Sequence, residues 1–271
     1  MNKRRTLSTM AVFAAALLLI TAPAPAQSFL APPETLPGGL SYQQWGAKWW
    51  QWVLSIPASI NPILDTTGAN CDVDQSGPVW FLAGGPPIAE RNCTVPAGKM
   101  IFFPIINLIN DYPCLDLSVK QPGQQRKTNF QPGPGQSLEQ FLTVGYGPLP
   151  DGTEFPGARQ FLDHVTALTA TLGGVPIVPA QDLPLPPELS KYRATSPIFV
   201  FNGDRSLTGR DGLGDPCIGP GHKGVTDGYW IMLKPLPPGS HTLFFSGTET
   251  YPPGSFGVSF TVAATYHLTI E

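Results

Sequence analysis

The chain has 271 residues and a formal net charge of −3, and 42% of its residues are hydrophobic, which excludes an intrinsically disordered chain. Without three basic residues near its start the net charge falls from −3 to −6, so nucleic acid and anionic membranes are not expected partners. Its 29 glycines and 32 prolines predict a folded chain of short segments joined by many turns.

Residues 1–26 have the pattern of a secretory signal peptide. Basic residues at 3–5 precede an apolar run at 10–20, and 24–26 match the A-x-A cleavage pattern, which places the mature start at Gln27. The apolar run is much shorter than the roughly 20 residues that span a bilayer. The sequence therefore predicts a periplasmic or secreted protein with no transmembrane anchor in its mature chain.

The first predicted element after the signal segment is a helix. Residues 27–40 form a proline-rich lead-in without a clear period. Ser41 has the side chain to cap a helix, and the apolar spacing continues to about Ile56, where Pro57 stops it.

This helix carries four tryptophans, and most of them fall on one face. At 100° per residue Trp45, Trp49 and Trp52 lie in one apolar stripe, with polar side chains opposite. Such a stripe favours packing of the helix on a sheet over stacking on a sugar or contact with a membrane. Trp50 lies off the stripe and is predicted to be the most exposed. If the helix does stack on a ligand, Trp50, Trp45 and Trp49 are the candidate binding residues.

The remaining segments predict strands separated by Gly/Pro turns. Apolar and polar residues alternate along 164–178, and this pattern predicts a hairpin that turns at Gly173-Gly174. Further segments are a short capped helix at 137–147, a polar loop at 121–136, and strands within 77–85, 98–109, 196–201, 228–233 and 239–271. The pattern predicts a single domain over 41–271, an antiparallel β-sandwich of jelly-roll or Ig-like type with the N-terminal helix packed on it.

Four cysteines beyond the signal segment predict disulfides, as expected in an oxidising compartment. Four cysteines allow three pairings, and their spacing matches no zinc motif. We favour Cys71–Cys93, which brackets a strand and its return, and Cys114–Cys217, which joins a central loop to a later Gly-rich loop.

Four segments resemble blocks of a family of secreted bacterial proteins that has no assigned activity. They are "YQQWGAKWWQW", "GPVWFLAG", "CTVPAGKMIFFPIIN" and "DGYWIMLKPLPPGSHTLFFSG". The resemblance spans most of the chain after the signal segment and implies export and a β fold. It implies no catalytic or binding residue.

Two acidic loops contain the oxygen ligands that calcium prefers. Asp72 and Asp74 match the start of a D-x-D-x-S-G loop, but an EF-hand needs Glu where this chain has Ala83. The loop from 202 to 215 adds Asp204 and Asp211. Asp and Gly also favour turns for backbone reasons alone. Turn formation is therefore the favoured interpretation and a structural calcium ion the alternative, and no other cofactor is predicted.

Motifs for catalysis are missing from the sequence, which contains no GxSxG, HExxH, P-loop or GxGxxG pattern. His222 lies on a predicted long loop with Asp215 and Asp227 nearby, so these three are the candidates for an active site. The favoured function is a non-catalytic binding or envelope-associated module for a carbohydrate or another protein. The alternative is an extracellular hydrolase that uses loop acids or His222.

Overall fold

The computed structural model describes residues 29–85, 88–112, 132–146, 155–178, 190–207, 218–253 and 258–271. It is mainly β, with two mixed sheets and an aromatic cluster around a helix. The α-helices in these ranges are α1 (Tyr42–Ser55), α2 (Leu138–Val144) and α3 (Ala158–Leu162). The strands are β1 (Val79–Phe81), β2 (Ala89–Val95), β3 (Met100–Tyr112), β4 (Gly145–Tyr146), β5 (Phe155–Pro156), β6 (Val165–Leu172), β7 (Val175–Pro176), β8 (Arg193–Thr195), β9 (Phe199–Phe201), β10 (His222–Leu233), β11 (Gly239–Glu249) and β12 (Phe260–Ile270).

Helix α1 begins where its sequence predicts. The Ser41 hydroxyl accepts a hydrogen bond from the Gln44 amide at 3.3 Å, and the Gln44 side chain accepts one from the Ser41 amide at 2.9 Å. The helix ends at Ser55, and Ile56 is extended, as expected of the residue before a proline. The predicted bounds of this helix are confirmed.

Sheet A has the strand order β1-β3-β10-β8, and β9 pairs with another part of β10. Its centre is the long antiparallel pair of β3 and β10, whose register shifts once between Tyr229 and Trp230. Strand β1 pairs with β3 in parallel. The parallel pairing follows from the chain path, because β2 crosses to the other sheet before the chain returns as β3.

Sheet B has the strand order β2-β12-β11-β6-β7. Strands β11 and β6 continue into the predicted hairpin with β7, and β12 pairs antiparallel with β11. Strand β2 pairs with β12 in parallel. Each sheet therefore contains one parallel pair, so the prediction of an antiparallel β fold is wrong in this respect. Turn signals predict only pairing between neighbours in sequence, and both parallel pairs join strands that are not neighbours.

The two sheets contact each other through aromatic rings and small residues. The rings of Phe103 in β3 and Phe245 in β11 stack with centroids 4.7 Å apart. Gly247 allows the close approach, because a Cβ atom there would lie 2.6 Å from the Cβ of Ile106. These contacts build the core between β3 and β11.

The tryptophans of α1 pack into the core on sheet A. Trp49 is completely buried and its indole N–H donates to the Leu82 carbonyl at 2.9 Å. Its ring meets that of Trp230 edge-on, and Trp230 in turn stacks on Phe102 with centroids 5.2 Å apart. The prediction that α1 packs its aromatic stripe against a sheet is confirmed.

Trp50 is buried as well, so the prediction that it is exposed is wrong. Only 7% of the residue is exposed, and its indole N–H donates to the Thr226 hydroxyl at 2.8 Å. That hydroxyl donates onward to the Leu108 carbonyl at 2.6 Å. Strand β10 thus supplies an acceptor 176 residues away in sequence, which no helical periodicity reveals.

We expect Thr226→Val to lower the free energy of unfolding by about 1–3 kcal/mol, because it leaves a buried indole N–H and a carbonyl without partners. Urea unfolding measures this cost. In a double-mutant cycle the same change should cost about 1 kcal/mol less when Trp50 is already phenylalanine. Additive costs in that cycle would contradict the role given to this hydrogen bond.

Candidate functional site

A cleft of about 480 Å³ with a mixed polar and apolar lining lies along strand β2, at the edge of sheet B. We call it the Trp80 cleft. Its polar and aromatic lining residues are Asp72, Trp80, Asn92, Thr94 and Glu271. They come from four separate parts of the fold, namely the loop at 61–77, β1, β2 and the residue after β12.

A disulfide fixes the loop to strand β2. Cys71 and Cys93 are bonded with their Cα atoms 5.9 Å apart, which confirms the first predicted pairing. Cys93 lies between Asn92 and Thr94, so this bond holds the loop directly beside the two strand residues that line the cleft. Cys114 and Cys217 lie outside the described residues.

Backbone contacts bring the loop against the open edge of β2. The Asn92 amide donates to the Thr67 carbonyl at 2.8 Å, so the loop takes the place of a further strand. Gly68 has φ +86°, and a Cβ there would lie 2.2 Å from the Asn92 carbonyl oxygen, so glycine is required at this position. The guanidinium of the buried Arg91 donates to the Asp65 carbonyl at 2.8 Å from behind the strand.

The side chain of Asp65 stabilises the start of the same loop. Burial acts to raise its pKa, but hydrogen bonds from the Asn70 amide and from the amide and hydroxyl of Thr67 hold it below its ordinary value. The positive charge of Arg91 acts in the same direction. Asp65 is therefore a charged structural group rather than a free ligand.

The far end of the loop is clamped by Gln75. Its side-chain amide donates to the carbonyls of Cys71 and Phe81 at 2.9 and 2.8 Å, and its oxygen accepts from the Phe81 amide at 2.9 Å. The indole N–H of Trp52 donates to the Val73 carbonyl at 2.9 Å. Helix α1 thus holds the loop that lines the cleft in place through Trp52. Because these contacts fix the loop, the cleft is preformed.

Trp80 lines the cleft with an unsatisfied donor. It is 7% exposed, and its buried indole N–H has no hydrogen-bond partner among the described residues. Trp230 shares this property, but its ring is packed against Gly46 and Gly228 in the core. A buried indole N–H normally has a partner. Trp80 therefore differs from Trp230 in that part of its side chain lines a cleft, although its indole N–H is buried.

The charge of the cleft limits the ligands that fit it. Asp72 and Glu271 are exposed carboxylates at its rim, and no lysine, arginine or histidine is among its lining residues. An anionic ligand would meet repulsion without a compensating cation. The carboxylates, an amide and a hydroxyl suit a ligand rich in hydroxyl groups, which both donate and accept.

The predicted calcium ligands do not converge. No group of three or more His, Cys, Asp or Glu side chains that could hold a metal ion occurs in the described part of the chain. Asp74 has φ 51°, which fits a turn residue. Asp204 accepts hydrogen bonds from the hydroxyl and amide of Ser206, and these lower its pKa. Calcium is thus not supported by the described residues. Asp72, predicted as one of its ligands, lines the Trp80 cleft instead. Asp211 lies outside the described residues.

The predicted catalytic residues are placed apart. His222 is the first residue of β10 and is buried, with its Nδ1 atom 3.2 Å from Oδ2 of Asp111. It does not lie on a loop as predicted, because β10 extends further toward the N-terminus than its apolar residues indicate. Asp227 lies five residues further along β10, where side chains point to the opposite face. Asp215 lies outside the described residues.

The tryptophans predicted as an alternative ligand platform are buried. Trp45, Trp49 and Trp50 are each at most 7% exposed, and each donates its indole N–H inside the protein. Stacking on a sugar requires an open ring face, so α1 offers no such platform. Asn92 and Thr94, which do line a cleft, belong to no sequence motif. The one signal that indicates them is that a polar residue stands on each side of Cys93, a predicted disulfide cysteine.

Comparisons with known proteins add no functional assignment. No family model matches the chain. No characterised protein and no solved structure matches it either. Of the helices in the described ranges, none has the length and apolar character needed to cross a bilayer.

Proposed function

We propose that the protein is an exported, non-catalytic module that binds a neutral carbohydrate in the Trp80 cleft. The observation that carries this proposal is the lining of the cleft, in which Trp80 lies together with Asp72, Asn92 and Thr94 and no lysine, arginine or histidine occurs. Sugar hydroxyls supply donors for the Asp72 carboxylate, and they both donate to and accept from the Asn92 amide and the Thr94 hydroxyl. The open shape of the cleft suits a sugar chain better than a small apolar ligand, which needs an enclosed site.

Export is supported by the signal-like segment at 1–26 and by the disulfide between Cys71 and Cys93, a bond that persists in oxidising compartments. These two features support our proposal of a periplasmic or secreted location. We also infer that the sheets form the two layers of a β-sandwich, since Phe103 and Phe245 stack between them. In this arrangement the polar side of sheet B faces the medium in which the carbohydrate occurs.

A hydrolase is the second candidate, and the pair of His222 and Asp111 favours it. A carboxylate that orients a histidine is one component of a general base. In the described residues, however, no hydroxyl or thiol forms a hydrogen bond with His222, so the nucleophile of a covalent mechanism is missing there. Loss of turnover in His222→Gln on a panel of glycosides and esters would favour the hydrolase.

We expect Asp72→Asn and Asn92→Ala each to weaken carbohydrate binding about ten-fold, because each removes one or two hydrogen bonds to the ligand. Isothermal titration calorimetry with oligomers of β-1,4-linked glucose, β-1,4-linked N-acetylglucosamine and α-1,4-linked glucose measures the affinity. Asp74→Asn is the matched control, since Asp74 lies on the same loop but does not line the cleft. Binding that is unchanged in both cleft variants would contradict the proposal.

A further inference from the structure

A second shallow cleft adjoins the Trp80 cleft on the same side of sheet B. It has a volume of about 380 Å³ and lies over β2, β12 and β11. Asn92 and Thr94 line both clefts. The two clefts therefore meet at these residues and form one continuous groove that starts at the loop wall and runs across three strands.

The floor of the second cleft consists of two rows of polar side chains. Neighbouring strands lie about 4.8 Å apart, so a row across three strands spans about 10 Å. In one row the partners are Asn92, His267 and Thr242; in the other they are Thr94, Thr269 and Ser240. All six residues are exposed. A ligand that lies along either row contacts a polar group at every strand.

The lining of the second cleft contains neither acidic residues nor lysine or arginine. Hydroxyl and amide groups dominate it, and these both donate and accept hydrogen bonds. Its titratable side chains are His241 and His267, and Nε2 of His267 already lies 3.7 Å from Oε2 of Glu90, so a charged polymer would find no lysine or arginine to pair with. The chemistry therefore matches a chain of repeating hydroxyl-bearing units without charge.

A peptide partner is disfavoured at this edge of the sheet. Peptides commonly bind by adding a strand to an open edge. Here the Asn92 amide already donates to Thr67, and Gly68 packs directly against the Asn92 backbone. The loop covers the edge of β2, so the groove is open over the face of the sheet and closed along its rim.

We propose that the groove binds a linear, uncharged oligosaccharide of several sugar units that lies across β2, β12 and β11 with one end in the Trp80 cleft. This inference rests on the proposed function and specifies its ligand as an extended chain rather than a mono- or disaccharide. The sugar units beyond the Trp80 cleft contact Thr242 and Thr269.

The length of the oligosaccharide is the variable that tests this proposal. Calorimetry on the purified protein uses the same three oligomer series, each from two to six units. We expect the hexasaccharide of the series that binds to have about ten-fold higher affinity than the disaccharide. The double variant Thr242→Ala/Thr269→Ala should remove this gain and leave the affinity for the disaccharide unchanged.

The matched control is Thr248→Ala/Thr261→Ala. These threonines lie on the same two strands and hydrogen-bond to each other at 2.9 Å, but they line neither cleft. Equal affinities for the disaccharide and the hexasaccharide would overturn the extended groove while the Trp80 cleft remains. An equal loss of hexasaccharide binding in the control would overturn it too. Absence of binding by all three series would overturn the proposed function itself.

Discussion

Replacing Asp227 by alanine is expected to lower the free energy of unfolding by about 3–5 kcal/mol, because it leaves the buried Arg193 guanidinium with only the half-exposed Asp163 as its counter-charge. Oδ2 of Asp227 accepts hydrogen bonds from Nε and Nη2 of Arg193 at 2.9 and 2.6 Å. Its other oxygen accepts from Thr195 and from the Gly228 amide. The side chains of Asp227 and Arg193 are 0% and 5% exposed, so water cannot replace these contacts in the variant.

Arg193 remains charged in this environment. Burial acts to lower its pKa, but the carboxylates of Asp227 and Asp163 outweigh burial and hold the pKa above its ordinary value. Arginine keeps its proton in proteins, so loss of the Arg193 proton cannot compensate for alanine at position 227.

The control for Asp227→Ala is Asp163→Ala. Asp163 contacts the same guanidinium at 2.7 Å, but its side chain is 50% exposed, so we expect a cost of about 1 kcal/mol or less. Urea unfolding of both variants measures the difference. Replacing Arg193 by methionine in the Asp227→Ala background should restore part of the lost stability, because it removes a buried charge that has lost its buried partner. Equal costs for the two aspartate variants would show that burial does not govern this ion pair.

The second large effect is a dependence of stability on pH that arises from Glu249. This carboxyl is completely buried at the end of β11. Tyr251 donates to its Oε2 atom at 2.6 Å, and Oε1 has no partner among the described residues. Burial raises the pKa of Glu249 from 4.5 to about 7, although the hydrogen bond from Tyr251 opposes the shift.

A raised carboxyl pKa stabilises the folded protein only while the group is protonated. The contribution is complete below pH 4.5 and is lost as the pH rises through about 7. At about 1.4 kcal/mol per pKa unit, it amounts to about 3 kcal/mol. We therefore expect Glu249→Gln to match the natural protein at pH 4 and to be about 3 kcal/mol more stable at pH 8.

Urea unfolding at a series of pH values from 4 to 8 measures this difference. The ring of His164 lies 4.4 Å from that of Tyr251, so the difference between variant and natural protein, rather than the absolute curve, isolates Glu249. Glu90→Gln is the control, because Glu90 is on the same sheet with its side chain 80% exposed. A constant difference across the pH range would rule out titration of Glu249.

Elements with local signals were predictable from the sequence. Ser41 and Gln44 form the capping box of α1, and Gly173 and Gly174 form the turn between β6 and β7. Both signals depend on residues a few positions apart, whose backbone preferences do not need the rest of the protein.

Strands with a buried arginine escaped prediction. In β2 the residues alternate between buried and exposed, but Arg91 occupies a buried position and makes the segment appear polar throughout. Strand β8 is short and contains Arg193, whose partner Asp227 is on β10. The pattern of hydrophobicity cannot reveal a buried charge when its compensating group is distant in sequence.

The Trp80 cleft was not predictable for the same reason. Asp72, Trp80 and Asn92 meet only because a disulfide and the pairing of β2 with β12 bring their segments together. The sequence shows each of them in an unremarkable turn or strand. Asp72 alone attracted a functional prediction, and for a different ligand.

The position of β12 has a consequence for the order in which the protein acquires its structure. This strand lies between β2 and β11 and is the only strand partner of β2 in the described residues. A nascent chain therefore completes β2 long before its partner is made, and sheet B cannot close until β12 arrives. Pairings so distant in sequence form slowly. If the chain crosses a membrane unfolded, this topology delays closure of sheet B until β12 has crossed, and β2 remains a site where premature aggregation can start.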